Sequence, residues 1–480
     1  MARILFLQDS GINESLALTE LSAHLGGLGH ETGLLLEHEE RNLDNQIRKW
    51  SPDLVVVPCN VAAHTTALRL AGRLKSVLPH CPVILGGTHA TFDPELAHHE
   101  HVDAVCIGEA EHAIAQCAEQ LDAGSTFQDV PNLALEVDGE LVQNPLSGLI
   151  DDLDSMPMPD RDLYYQYPFM ARFPWKKFTT GRGCVHSCAF CWNPGVRDLY
   201  NAGGTFTRRK SPQRAVDEVV WVKERYPLET VHFSDDLFTV RPGWLEDFAT
   251  LFRTQIGLPF TCNSSIELVT PRSVDALAEA GCRGVAIGLE TGNETLRTRI
   301  LKKTVTNDDV RRAAALIKDR GMELTTFNML ASPGETLEDA FSTIALNREI
   351  GTDHIRLSLA VPIPFTEWEQ DAQSKGLLRE DYAGARVEGL TRPEVAFETD
   401  EARAFRNLYY MFRPLVHHPR LEPIARRLIH LPNARPLDIL RLLVAYEEKR
   451  IYHLGWIEGL RFFSHVGDPR NRTTNYVTLI

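Results

Sequence analysis

The stretch GRGCVHSCAFC, residues 181–191, places three cysteines within eight positions, at Cys184, Cys188 and Cys191. A structural zinc site closes with four ligands, commonly two CxxC pairs far apart in sequence, whereas this pattern offers three thiolates from one loop. Three thiolates can hold three corners of a cubane iron–sulfur cluster and leave one iron open to the amino and carboxylate groups of a small molecule. The loop therefore predicts a cluster with one ligand-binding iron.

The residues around the cysteines favour the same interpretation. Cluster sulfurs need backbone N–H donors and a dry wall, which the glycines at 181 and 183 and the aromatic Phe190 can supply. Two alternatives remain: a zinc site completed by His186, and three cysteines with no shared role.

The region around this loop, residues 173–375, alternates strand-like and helical patterns. Candidate strands lie near 177–181, 229–233, 259–263, 284–290, 323–329 and 354–360. Six such repeats predict a partial (β/α)6 barrel, whose active site would lie where the strands end. The cysteine loop follows the first strand and is therefore expected at that end.

Residues 1–125 show a second strand and helix alternation. The strand-like runs are RILFL (3–7), TGLLL (32–36), DLVVVP (53–58), PVILGG (82–87) and DAVCIG (103–108). Amphipathic stretches lie between them, so an α/β domain with a parallel, doubly wound sheet is predicted. Five strands suit the flavodoxin-like (Rossmann-type) order.

Ligands of such sheets bind outside the carboxyl ends of the strands. Here those ends carry small and polar residues: Asp9, Ser10, Asn60, Gly86, Gly87, Thr88, His89, Gly108 and Glu109. The alternative is that the glycines only make tight turns. The first strand is not followed by GxGxxG, so a dinucleotide site is not favoured.

Two further segments complete the organisation. Residues 126–172 are predicted to be a linker, with a hairpin at LALEVDGELVQ (133–143) and a proline-punctuated stretch after it. Residues 376–480 are predicted to form a small, mainly helical domain, in which arginines interleave with apolar positions. A basic lid of this kind would suit an anionic substrate with an apolar body, while the alternative is a cap that only stabilises the barrel.

Composition narrows the functional classes. The 480 residues carry a net charge of −15, which argues against a protein that coats nucleic acid. The first strand is too short and polar-flanked for a signal peptide, and no apolar run is long enough to span a membrane. Nine cysteines without an export signal favour a metal or redox role in a reducing cytoplasm.

CVHSCAFC resembles the signature CxxxCxΦC of the radical S-adenosylmethionine (SAM) family, in which Φ is aromatic. Further stretches resemble the cobalamin-binding branch of that family: HFSDDLFT (232–239), AIGLETGNE (286–294), ASPGET (331–336), RDLYY (161–165), RRKSP (208–212), GGTHATFDPE (86–95) and VCIGEAE (105–111). The resemblance covers roughly residues 1–375. Two departures lie at Ala331, where glycine is usual, and at Phe365 in PIPFT, where the family often has PxPGT.

The resemblance implies a role for individual residues. Cys184, Cys188 and Cys191 would bind a [4Fe-4S] cluster, Glu290 would help to hold the ribose or methionine part of SAM, and Asp235 and Asp236 would lie near its amino group. The corrin ring of cobalamin would lie over the strand ends named above. The branch's DxHxxG motif is missing after the first strand, so we expect no axial histidine from that position. His89 is expected to be a wall residue, and the histidines at 98, 99 and 101 to be surface residues.

The resemblance also implies an activity. The cluster would cleave SAM reductively to a 5'-deoxyadenosyl radical that abstracts a substrate hydrogen, and methylcobalamin would then donate a methyl group to an unactivated carbon. Alternatives are a cobalamin-dependent cyclase, a radical enzyme that has lost cobalamin, and a corrinoid-binding module without catalysis. The expected partners are a small-molecule substrate and an external electron donor similar to flavodoxin or ferredoxin.

Overall fold

The computed structural model describes residues 1–10, 14–60, 63–200, 206–380, 382 and 393–432. Within them the chain divides into two compact units. The first comprises residues 1–172 and 195–208, and the second comprises residues 173–194 and 209–432. Neither unit contains a described helix that is long and apolar enough to cross a membrane.

The first unit is built on a seven-stranded sheet. Its strands are β1 (Arg3–Gln8), β2 (Glu31–Leu36), β3 (Leu54–Pro58), β4 (Val83–Gly86), β5 (Ala104–Cys106), β6 (Leu133–Val137) and β7 (Glu140–Gln143). The order is β2-β1-β3-β4-β5-β6-β7, and the first five strands in this order are parallel. The predicted flavodoxin-like order is confirmed.

Helices cover this sheet. They are α1 (Leu16–Gly27), α2 (Leu43–Trp50), α3 (His64–Val77), α4 (Thr88–Phe92), α5 (Glu111–Ala123), α6 (Asp162–Tyr165) and α7 (Pro168–Arg172). On one face, Leu70 and Leu74 of α3 belong to the same buried apolar cluster as Val55 and Val57 of β3. Strand residues buried on both faces read as continuous aliphatic runs, which is why the sequence reveals them.

The predicted hairpin forms and extends the first sheet. Strands β6 and β7 flank Asp138 and Gly139, and β6 pairs antiparallel with β5. Its attachment to the sheet could not be read from the pattern, because a hairpin does not encode the edge that it joins. The predicted domain boundaries at 125, 172 and 375 stay predictions.

The second unit contains the predicted partial barrel. The strands from residue 173 onward, in continued chain order, are β8 (Trp175–Phe178), β9 (Gly181–Arg182), β10 (Arg208–Arg209), β11 (Thr230–Phe233), β12 (Phe260–Ser264), β13 (Cys282–Glu290), β14 (Glu323–Leu330) and β15 (His354–Leu359). Six of them form one parallel sheet in the order β15-β14-β13-β12-β11-β8. A curled half-barrel of six strands is therefore confirmed.

The remaining helices are α8 (Asn193–Leu199), α9 (Pro212–Arg225), α10 (Pro242–Gln255), α11 (Pro271–Ala280), α12 (Asn307–Lys318), α13 (Leu337–Glu349), α14 (Glu367–Ser374), α15 (Thr399–His417) and α16 (Glu422–Leu428). Three barrel helices begin with a capping box, in which Thr270, Thr306 or Thr336 accepts from the backbone three residues on. These caps satisfy free N–H groups and so define where each helix begins after its loop.

Helix α15 packs on the half-barrel. Phe405, Leu408 and Phe412 belong to one apolar cluster with Ile355 of β15 and Phe341 of α13. This described part of the predicted C-terminal domain thus shares a core with the barrel. The rest of this predicted helical domain, from residue 433 onward, lies outside the described residues.

The RDLYY stretch fastens α6 to the end of β1 within the first unit. Arg161 Nη1 donates to Glu14 Oε1 at 2.7 Å, and both side chains are buried. The Tyr164 hydroxyl donates to Gln8 Oε1 at 2.5 Å, and the Tyr165 hydroxyl lies 3.4 Å from Glu14 Oε2. The motif therefore closes this end of the sheet with a buried ion pair and tyrosine hydroxyls.

We expect Arg161→Met to destabilise the first unit by about 3–5 kcal/mol, because it leaves the Glu14 carboxylate buried without its counterion. Urea unfolding followed by circular dichroism measures this loss. The double variant Glu14→Gln with Arg161→Met should recover part of the stability. A single variant as stable as the wild type would contradict a structural role for the pair.

Candidate active site

The three cysteines lie in the loop after β9, and all are free thiols. Cys184 is buried, whereas Cys188 and Cys191 are half-buried. The Cys191 N–H donates to the carbonyl of Cys188 at 3.2 Å. The backbone N–H and side-chain amide of Asn193 approach Cys191 Sγ at 3.5 and 3.6 Å. Asn193, which the sequence analysis did not single out, supplies the donors that a cluster thiolate needs.

Backbone hydrogen bonds on Ala189 hold the loop in place. Its N–H donates to the Leu301 carbonyl at 3.0 Å, and its carbonyl accepts from the Trp368 N–H at 3.0 Å. Ala189, Leu301 and Trp368 share an apolar cluster, and the Phe190 ring meets Trp368 edge to face with centroids 6.5 Å apart. These residues provide the dry wall expected beside a cluster.

The three thiols are expected to lose their protons only when iron binds in place of the protons. Burial raises the pKa of Cys188 to about 12 and also raises the pKa of Cys191. Thiolates would therefore form together with iron binding, with release of protons. Among the described residues, no three His, Cys, Asp or Glu side chains converge as they would around a single metal ion. Three thiols in one loop fit a cubane cluster that takes three protein ligands.

Two adjacent carboxylates at the end of β11 have different surroundings. Asp235 accepts from the Thr180 N–H at 3.0 Å and from its hydroxyl at 2.7 Å, and Arg209 Nη2 lies 3.5 Å away. Asp236 accepts from Asn193 Nδ2 at 3.0 Å. Solvent reaches Asp236, yet the protein atoms around it raise the pKa of its carboxyl. Asp235 thus ties strand ends together, while Asp236 lies beside the cysteine loop.

The GLETG segment at the end of β13 presents Glu290. This residue has φ 64°, and the register of β13 with β14 shifts between Gly288 and Glu290. Glu290 Oε1 pairs with Lys303 Nζ at 3.2 Å. A side chain at Gly288 would enter the space of both the carboxylate and the ammonium group. A side chain here would have to displace this ion pair, which lies directly over the backbone.

A buried arginine organises the loop after β13. Arg297 lies in a π-helical turn, Leu296–Ile300, and is fully buried. Its guanidinium donates to the carbonyls of Leu289 at 3.1 Å, Val305 at 3.2 Å, and Thr291. Arg297 therefore holds the two ends of the loop that carry Glu290 and Lys303. Neither Arg297 nor Lys303 was identified from the sequence, because a basic residue in a helix-like stretch gives no sign of its partners.

The two departures from the family pattern occupy strained backbone. Ala331 has φ 62° and Phe365 has φ 69°. Glycine adopts this conformation freely, whereas other residues lose about 1–2 kcal/mol in it. The carbonyl of Pro364, next to Phe365, accepts a hydrogen bond from Trp192 Nε1 at 3.0 Å. Trp192 directly follows Cys191 of the cysteine loop. Both loops thus keep the backbone conformation that glycine favours, although Ala331 and Phe365 occupy these positions.

Glu335 of the ASPGET segment is a buried acid. Its Oε2 accepts from the Ser332 N–H at 2.9 Å, and Oε1 has no hydrogen-bond partner in the described part of the chain. Burial raises the pKa of Glu335 to about 8. Glu335 is therefore protonated over most of the physiological range.

In the first unit, strands β3 and β4 bring several predicted residues together. Asn60 Oδ1 accepts from the Thr88 N–H at 3.3 Å and from its hydroxyl at 3.1 Å. Gly86 ends β4, and a side chain at Gly87 would lie 2.8 Å from Asn60 Oδ1. The buried ring of His89 stacks on His64 with centroids 4.3 Å apart.

The other strand ends differ in their partners. Asp9 Oδ1 accepts from the Ser10 N–H at 2.8 Å, while Oδ2 is buried without a hydrogen bond among the described residues, and burial raises the pKa of Asp9. Glu109, after Gly108, binds the Arg208 guanidinium at 2.8 and 3.1 Å. Asp9 thus has one carboxylate oxygen without a partner among the described residues, whereas Glu109 has structural partners. The assignments of these residues to the corrin stay predictions.

Comparisons with known proteins agree with this geometry. The sequence model of the Radical SAM superfamily matches residues 178–346, and that of the B12 binding domain matches residues 3–118. The chain is 26% identical over 328 residues to an uncharacterized methyltransferase of Pyrococcus horikoshii, covering 67% of this chain and 70% of the relative. It is 25% identical over 352 residues to the anaerobic magnesium-protoporphyrin IX monomethyl ester cyclase of Rubrivivax gelatinosus, covering 70% and 61%.

Two solved structures share the fold. The radical SAM methyltransferase TsrM of Kitasatospora setae, solved with tryptophan and a SAM analogue, has a TM-score of 0.66 at 18% identity, covering 82% of this chain and 80% of that chain. The cobalamin-dependent radical SAM enzyme OxsB has a TM-score of 0.70 at 13% identity, covering 97% and 75%.

A half-barrel with a CxxxCxxC loop and a radical SAM match define a radical SAM enzyme. Because a B12 binding domain match precedes the barrel in the same chain, the protein belongs to the cobalamin-binding branch of this family. Its cofactors are a [4Fe-4S] cluster, SAM and cobalamin.

We expect Gly292→Ala to lower the stability of the second unit by about 1–3 kcal/mol, because there is no room for the added methyl group between this backbone and α13. It would lie 2.6 Å from the Ser342 backbone of α13. Thermal unfolding measures the loss. Gly243→Ala in α10, where the new methyl group meets nothing within 4 Å, is the matched control and should not be destabilising. Equal melting temperatures for both variants would contradict the close approach.

We expect the stability of the second unit to fall as the pH rises, because of Glu335. Its pKa in the folded protein, about 8, lies above its ordinary value of 4.5, so unfolding releases a proton between these pH values. The contribution of Glu335 to stability is therefore full below pH 4.5 and declines until about pH 8. We expect Glu335→Gln to gain stability relative to the wild type as pH rises from 5 to 8, measured by urea unfolding. The exposed control Glu229→Gln should follow the wild type, and parallel curves for Glu335→Gln would contradict the assignment.

Proposed function

We propose that this enzyme transfers a methyl group from methylcobalamin to an unactivated carbon of a small-molecule substrate. The observation that carries the proposal is the presence, in one chain, of the B12 binding domain match at 3–118 and of the cysteine loop at the active end of a radical SAM half-barrel. The relatives named methyltransferases support this reaction. A reducing cytoplasm and a flavodoxin- or ferredoxin-like electron donor are its expected setting.

In this proposal the residues of the chain bind the cluster, orient SAM and shield both from water. When bound, the cluster and SAM supply a hydrogen-abstracting 5'-deoxyadenosyl group, and cobalamin supplies the methyl group. Cys184, Cys188 and Cys191 hold the cluster, while the wall of Ala189 and Trp368 keeps water away. Excluding water matters because a radical must meet only its target.

Two carboxylates are proposed to orient SAM. Glu290 is held by its pair with Lys303, and Asp236 lies beside the cysteine loop through Asn193. Asp235 supports them indirectly, because its carboxylate is engaged by Thr180 and Arg209. The corrin is proposed to contact the first-unit edge formed by Asn60, the Gly86 to His89 turn, and Asp9. The substrate is proposed to be anionic with an apolar body.

A ring-forming reaction is the second candidate. The relative named magnesium-protoporphyrin IX monomethyl ester cyclase favours it, since that alignment covers 70% of this chain. A cyclase would produce 5'-deoxyadenosine without net methyl transfer.

The proposed function is tested on anaerobically purified protein, reconstituted with iron and sulfide and supplied with hydroxocobalamin, SAM and a strong reductant. We expect 5'-deoxyadenosine and methylcobalamin, both measured by mass spectrometry. Cys188→Ala should reduce 5'-deoxyadenosine to background, because the cluster loses one of its three ligands. Cys81→Ser, a buried cysteine of the first unit, is the matched control and should keep both products.

The outcomes separate the candidates. Both products, with loss of 5'-deoxyadenosine only in Cys188→Ala, support the methyltransferase. 5'-Deoxyadenosine alone favours a cyclase or a radical enzyme without cobalamin. Neither product, in a protein that holds cobalamin, would overturn the proposal in favour of a corrinoid-binding module.

A further inference from the structure

A buried ion pair lies beside the cysteine loop, and the reaction proposed above does not explain why it is there. Lys303 Nζ is 3.2 Å from Glu290 Oε1, and the two residues are 9% and 7% exposed. Burying two charges is costly unless their geometry and further hydrogen bonds compensate. The ion pair is therefore not an ordinary solvated pair on the surface, and its position requires another explanation.

Further contacts fix the position of the ammonium group. Lys303 Nζ also donates to the Gly288 carbonyl at 2.5 Å, and the Lys303 N–H donates to the Arg297 carbonyl at 3.0 Å. Arg297 in turn donates to the Leu289 carbonyl at 3.1 Å, one residue before Glu290. Both ends of the ion pair are thus attached to one buried arginine, the lysine end through the Arg297 carbonyl and the glutamate end through the guanidinium, and the lysine cannot swing away without breaking these bonds.

The cysteine loop is attached to the same segment. Ala189, which follows Cys188, donates its N–H to the Leu301 carbonyl at 3.0 Å, and Leu301 lies two residues before Lys303. The residue after Cys188 and the ammonium group of Lys303 are thus held by one short segment. The lysine is therefore placed to influence negative charge in this loop.

We propose that Lys303 is a positioning residue that holds Glu290 and, through its fixed positive charge, raises the reduction potential of the cluster bound by the cysteine loop. This inference rests on the proposed function, since it requires a cluster at Cys184, Cys188 and Cys191. Reduction adds one electron from the external donor and changes no bond of the chain. In a poorly screened interior, a nearby cation stabilises that added negative charge and a nearby anion opposes it.

The test is a redox titration of the reconstituted protein without SAM or substrate, with dithionite as reductant and electron paramagnetic resonance as the readout. We expect Lys303→Met to shift the midpoint potential to a more negative value. Glu290→Gln should shift it in the opposite direction, and the double variant should lie close to the wild type. A purely structural role of the lysine would not give shifts of opposite sign for the two partners.

The neighbouring Lys302 provides a matched control. Its side chain is exposed and pairs with Glu367 on α14, so Lys302→Met removes the same charge where solvent screens it. We expect the potential of this variant to equal that of the wild type. With SAM added, we expect Lys303→Met to cleave SAM about tenfold more slowly than the wild type does. Substitutions of residues that support metal sites commonly have effects of this size.

Two results would overturn the inference. One is an unchanged potential in cluster-loaded Lys303→Met, and the other is an equal shift in Lys302→Met. If Lys303→Met does not retain a cluster, an unchanged potential in Glu290→Gln overturns it as well. Failure of the wild-type protein to assemble any cluster would contradict the proposed function itself, whereas the other results contradict only the role of Lys303.

Discussion

Two backbone hydrogen bonds on Ala189 determine the position of the cysteine loop. A loop of this composition has no regular ladder of its own, so its shape depends on contacts with other segments. The partners, Leu301 and Trp368, come from the loop after β13 and from α14. The thiol positions, the dry wall and the ion pair of Glu290 with Lys303 therefore form one connected arrangement, in which a change in one segment is transmitted to the others.

The sequence predicts the strands well because their signal is local. Many buried parallel strands are short aliphatic runs bounded by turn residues, as in β1 and β3, and the predicted strands overlap all eleven parallel strands of the two large sheets. The cysteines were found for a similar reason, since their spacing lies within one loop. Their assignment to a cluster follows from the number of thiolates and from the resemblance that the comparisons confirmed.

Contacts between distant segments could not be predicted. A pattern of apolar residues shows that Asp235 and Asp236 follow a strand, but it does not show that only Asp235 is engaged by Thr180 and Arg209. Lys303 and Arg297 have no distinguishing neighbours in sequence, and their importance comes from carbonyl groups and a carboxylate elsewhere. Helix α15 lies in the predicted C-terminal domain, and its sequence alone did not show that its apolar face packs on β15 and α13.

The positive φ angles of Ala331 and Phe365 show that surrounding contacts, and not residue preference, define these two loops. A glycine at each position would reach the same backbone without strain and would contribute no side-chain volume. The chain instead places a methyl group and an aromatic ring there, beside strand ends that lead to the active site. The Ala331 methyl group is buried, whereas the Phe365 ring is exposed and gives this loop a different surface from one formed by glycine. Substrate range inherited from relatives with glycine at these sites need not apply to this enzyme.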